Sequence, residues 1–170
     1  AGRLVFAHGR AGGRANVARP HASVGLAKAQ KQLSISPMNS IAAILRALNL
    51  LYHEAHHYVS GASFAGDHKM LGGFYEEVIE DFDDICEEAL SIKDEDFNER
   101  EANKNGFKIY SESAIGFRTF LNVESKLQDA LEAGNKSAKK IGTQNLIQGI
   151  ATKSSKRIYK IQQRLKSSGV

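Results

Sequence analysis

At 170 residues, the chain is long enough for one domain with a substantial core and too short to expect two. With 42% hydrophobic and 25% charged residues it has the composition of an ordinary globular protein, and its longest apolar stretch, residues 41–51, is interrupted by Arg46 and Asn49 and falls short of the roughly 20 residues a bilayer requires. One cysteine, Cys86, excludes an internal disulfide framework and fits a reducing compartment.

The net charge of +4 hides a strong asymmetry. Every acidic residue lies between Glu54 and Glu132, and both ends of the chain are basic. Basic ends around an acidic middle suggest an anionic partner outside and cation chemistry within.

Residues 1–36 read as a basic extension. Gly2, Gly9, Gly12, Gly13, Gly25 and Pro20 break any periodicity, while Arg3, Arg10, Arg14, Arg19, Lys28 and Lys31 have no acidic counterpart. Such a tail can neutralise phosphates, so these six residues are the candidate DNA contacts, non-specific and salt-dependent. Its Arg-rich, acid-free character also resembles an organelle transit peptide. Gly9-Arg10-Ala11-Gly12-Gly13 lacks the Lys-Ser/Thr ending of a phosphate loop.

Residues 37–170 read as one all-α domain. Ser36-Pro37 or Asn39-Ser40 supplies a start signal, and Ile41, Ile44, Leu45, Leu48, Tyr52, Ala55 and Val59 recur at helical spacing. Ser60-Gly61-Ala62-Ser63 ends that helix. A second is expected from about residue 67, with Asp67 as its N-cap, to about residue 92, turning Leu71, Phe74, Val78, Phe82, Ile85 and Ala89 inward. Cys86 lies among apolar neighbours there and reads as a small core residue. Residues 93–106 have the profile of a connecting loop or a short helix. A third helix is expected over about residues 112–133, carrying Ile115, Phe117, Phe120, Leu121, Val123, Leu127 and Leu131. The fourth, to about residue 166, carries Leu146, Ile147, Ile150, Ile158, Ile161 and Leu165. Four helices of this length predict an up-down four-helix bundle with one longer connection between the second and third.

One string carries chemistry. It contains His56, Gly61, Phe64 and His68, and is followed by Asp83 and Glu87, two carboxylates at i and i+4 on one helix face. Imidazole nitrogens with carboxylates form a mixed N/O donor set that iron accepts. His53 and His57, also at i and i+4, form a second two-imidazole motif.

The twelve-residue spacing of His56 and His68, with Gly61 and Phe64 between them and the Asp83/Glu87 pair beyond, resembles the signature of the Dps-type mini-ferritins. Residues 141–146, Ile-Gly-Thr-Gln-Asn-Leu, are similar to the start of that family's last helix, and the likeness covers roughly residues 38–168. The resemblance implies a ferritin-like four-helix bundle in a hollow homo-oligomeric shell of twelve subunits, in the cytoplasm and associated with the nucleoid; a transit-like N-terminus would place it in an organelle matrix instead. It implies ferrous iron oxidised by peroxide or oxygen, ferric iron stored inside, and DNA bound by the tail. His56 and His68 of one subunit, with Asp83 and Glu87 of a neighbour, would be the iron ligands around one or two ions. Three positions depart from the pattern: Gly72 stands where the family has a ligand Asp, His57 where Trp is usual, and Tyr58 where Asn is usual. Asp67, beside His68, is a candidate stand-in for the missing carboxylate. The alternative reading is a ferritin-like structural or assembly protein whose iron site has degenerated.

Overall fold

In a computed structural model of the chain, residues 36–167 are described. The six tail residues assigned to DNA, Arg3, Arg10, Arg14, Arg19, Lys28 and Lys31, lie outside them.

The described residues form five α-helices and no strand: α1 (Pro37–Tyr58), α2 (Phe64–Ser91), α3 (Glu99–Ser111), α4 (Phe117–Ser137) and α5 (Ile141–Ser167). Short connections pair α1 with α2 and α4 with α5, and α1 also packs on α4. Contact between α2 and α5 closes the bundle more sparsely, and α3 lies against α1. None of these helices is long and apolar enough to cross a membrane.

Local chemistry sets the helix ends. The Ser36 hydroxyl accepts from the Met38 amide at 3.2 Å, Pro37 occupies the first turn, and Ser36 donates to Asp94 at 2.5 Å. The start of α1 is thereby tied to the turn after α2. That turn is clamped again by Asn39, which donates to the Asp96 carbonyl and accepts from the Asn98 amide, both at 2.9 Å. Lys93 makes the reversal with a positive φ of 54°.

Two boundaries differ from the sequence reading. The N-cap residue of α2 is Ser63, and Asp67 lies inside the first turn with its carboxylate turned to Arg164. The segment that read as loop or short helix is α3. Asn98 caps it by accepting from the Glu101 amide at 3.0 Å, with Glu99 and Glu101 favourably placed at its positive end. α4 accordingly begins at Phe117, and Ile115 stays outside, 40% exposed. Gly106 lets α3 dock closely: a Cβ there would stand 2.7 Å from both the Ala43 carbonyl oxygen and the Arg46 Cβ.

The core runs along α1 through Ile41, Leu45, Leu48, Leu51 and Tyr52, all fully buried. Tyr52 packs between Phe74 of α2 and Phe120 of α4, with ring centroids 5.2 and 5.1 Å away. Cys86 is buried, and burial, followed by the charges of Glu99 and Asp83, pushes its thiol up to about 12. This agrees with its reading as a core residue.

Candidate functional site

Two groups of polar side chains stand out, and the sequence pointed to only one of them. The first lies at the turn between α1 and α2. Gly61, with φ +80°, reverses the chain so that the last turn of α1 faces the first turns of α2. His56 and His68 then stack, with ring centroids 3.7 Å apart and planes 26° from parallel.

Each ring is held by the other's backbone. His56 Nδ1 donates to the His68 carbonyl at 2.9 Å, and His68 Nδ1 donates to the His56 carbonyl at 3.0 Å. A carbonyl can only accept, so both neutral rings carry their proton on Nδ1 and leave the Nε2 lone pair available. A backbone carbonyl on the far nitrogen is the arrangement that orients metal-binding histidines. Phe64 flanks the His68 ring at 5.2 Å and Tyr75 flanks His56 at 5.5 Å, and both histidines are half-buried.

Gly72 belongs to this geometry. A Cβ at that position would stand 3.2 Å from the His56 Cε1 and Nδ1 atoms, so even alanine would crowd the ring. The position that bears a ligand Asp in the resembled family therefore clears space for the stacked pair.

The remaining candidate ligands lie elsewhere. Asp83 and Glu87 are exposed on α2, and Asp83 is fifteen residues beyond His68, about 22 Å along a helix. Asp67 is buried, and both its oxygens accept from Arg164 Nε, at 2.8 and 3.0 Å. That ion pair occupies the carboxylate considered as a replacement for the one missing at Gly72. Among the described residues, no three His, Cys, Asp or Glu side chains gather to hold a metal ion.

The second group, missed in the sequence, is buried between α2, α4 and α5. Arg157, 1% exposed, donates from Nε to Glu124 at 2.6 Å and from Nη1 to Glu77 at 2.5 Å. Glu124, fully buried, also accepts from the Tyr52 hydroxyl at 2.7 Å and the Ser154 hydroxyl at 2.5 Å. Lys153 donates to Asp81 Oδ1 at 2.7 Å, while Asp81 Oδ2, 3.6 Å from Arg157, makes no hydrogen bond.

Burial alone disfavours the Arg157 charge, but the Glu124 carboxylate more than offsets it, with Tyr52 and Glu77 adding, so its pKa is raised. Tyr52 is also raised, by burial first and then by the Glu124 charge. Carboxylates that converge in a bundle core can build a metal site; here the chain's own guanidinium and ammonium groups neutralise them.

The signal for this knot was present. Thr143, Ile147, Ile150, Ser154, Arg157 and Ile161 form one buried stripe at alternating steps of four and three, and Ile158, expected inside, is only half-buried. Asp81 and Glu124 occupy equivalent stripe positions on α2 and α4. Compared with known proteins, the chain matches no family model and no curated protein.

Proposed function

We propose that this chain is a ferritin-like iron protein of the mini-ferritin kind, with His56 and His68 as the imidazole half of a ferrous-iron site. The observation that carries this reading is the reciprocal pair of Nδ1–H···O=C hydrogen bonds, which holds two imidazoles in register with both Nε2 lone pairs available.

Asp83 and Glu87 are too far along α2 to join these rings in the same subunit, so the carboxylate half comes from a second copy. A two-fold interface does this economically, because each contact across it occurs twice and one axis builds two sites. Iron is then the substrate and cargo: ferrous ions are oxidised there by peroxide or oxygen and retained as ferric iron inside a closed homo-oligomer, a shell of twelve subunits like that of the resembled family. Non-specific DNA binding through the arginines and lysines of residues 1–36 is a second activity of the same assembly. Gly72 leaves the site one carboxylate short, so ferrous iron binds more weakly than it would to a complete set.

The test is anaerobic titration with ferrous iron, then peroxide, followed by near-ultraviolet absorbance. Saturable binding and oxidation faster than in buffer are expected, both abolished in His56→Ala/His68→Ala and in Asp83→Ala/Glu87→Ala. Assembling those two variants together should restore about a quarter of the activity, since half of randomly formed dimers are mixed and each holds one intact site of two. Oxidation no faster than in buffer sinks the reading. It would favour the alternative that Gly72 supports, a ferritin-like bundle kept as a structural or assembly component.

A further inference from the structure

The iron reading leaves a second pair of histidines unused. His53 and His57 lie one turn apart on α1 and both are exposed. Their rings are nearly perpendicular, 89° between planes with centroids 4.8 Å apart, and the two Nε2 atoms face each other at 3.4 Å. That separation allows a long N–H···N hydrogen bond between the two rings. It also matches the bite of a single ion. Two nitrogens each about 2.0–2.1 Å from a tetrahedral metal stand about 3.3–3.4 Å from one another.

Neighbouring rings support this arrangement. His53 packs edge-on against Tyr75, with centroids 5.1 Å apart, and His57 packs edge-on against His56 at 5.2 Å. His57 lies in the last turn of α1, where the helix presents unpaired carbonyls and the negative end of its dipole. A cation is favoured there.

We propose that His53 and His57 bind one zinc ion through their Nε2 atoms. Both imidazoles stay neutral ligands, no carboxylate is required, and the remaining coordination positions are open to water. Among the described residues no third His, Cys, Asp or Glu completes the set. Imidazole-only coordination selects by the ordinary affinity series, in which copper and zinc outrank ferrous iron. The same series holds at the histidine–carboxylate site proposed for iron, so the two sites, side by side on α1, are told apart by their residues and not by their choice of metal.

The experiment is calorimetric titration of the full chain with zinc chloride, repeated with cobalt(II) as a spectroscopic probe of tetrahedral coordination. The expected result is one zinc per chain in His56→Ala/His68→Ala, where the proposed iron ligands cannot compete, with tetrahedral cobalt bands in that protein. His53→Gln/His57→Gln added to that variant should lose both signals, while His53→Gln alone added to it weakens zinc on the order of tenfold. Helical circular dichroism should be unchanged in these variants. Ferrous-iron oxidation should be unchanged when His53→Gln/His57→Gln is made in the otherwise unaltered chain, since neither residue belongs to the iron site. Undiminished zinc binding when His53→Gln/His57→Gln is added to His56→Ala/His68→Ala overturns the proposal, as does absence of zinc binding in His56→Ala/His68→Ala itself. Failure of the iron reading would appear separately, as no ferrous oxidation in the unaltered chain.

Discussion

The buried knot around Arg157 and the histidine cluster at the α1–α2 turn solve opposite problems with their polar groups. In the knot, carboxylates from α2 and α4 meet cations from α5, and almost every polar atom has a protein partner. In the cluster, backbone carbonyls take one nitrogen of each of His56 and His68 and leave the other as a free donor. A group that is saturated internally holds the fold together. A group that is oriented but left one donor short is prepared for a ligand from outside. The difference is set by what faces the side chains: opposite charges from other helices in the knot, backbone carbonyls in the cluster.

The largest test of that contrast is Arg157→Ala. It leaves Glu124 and Asp81 charged in a dry interior, and should cost about 3–5 kcal/mol in urea denaturation. His56→Ala, in the half-buried cluster, should cost only about 1 kcal/mol while abolishing ferrous binding. Similar losses from the two substitutions would erase the distinction.

Gly72→Ala sharpens the comparison further. Alanine in a helix interior gains about 0.5–1 kcal/mol over glycine, but here its Cβ displaces the His56 ring by a few tenths of an ångström. Stability should therefore change little while ferrous affinity falls about tenfold. Gly73→Ala is the control, because a Cβ there meets nothing within 4 Å, and it should raise stability without touching iron binding.

The smallest expected effect concerns Asp81. Burial raises its carboxyl pKa above the ordinary 3.8, against the opposing hydrogen bond and charge of Lys153. The folded state then holds the proton more tightly than the unfolded state, so this group's contribution to stability falls as pH rises from about 3.8 through the raised value. Asp81→Asn removes that slope, and its melting temperature should rise relative to the unaltered chain across the same window. A parallel pH dependence in the two proteins would show that Asp81 is not the group titrating.

Much of the architecture was legible because it rests on local rules. Apolar period marked the inward faces of the four long helices, and Ser36-Pro37 marked the start of α1. The Asn98–Glu101 cap of α3 was present in the sequence too, but it precedes a segment so polar that loop and helix read alike. Asp67 looked like an N-cap because Asp often is one; its partner is Arg164, 97 residues away. Ile158, counted among the apolar residues of the last helix, is only half-buried while Arg157 beside it is buried, because the stripe's register passes through 157.

By itself, the sequence determined the all-α class, the inward stripes and the pairing of His56 with His68 across a short turn, since all of these depend on spacing within one helix or one connection. Only the tertiary structure decided which charges became interior and which donors stayed free. Whether a carboxylate is neutralised depends on a cation brought from another helix, and whether an imidazole nitrogen is available depends on a carbonyl a few ångströms away. Helical spacing places residues on a face; packing decides what that face meets.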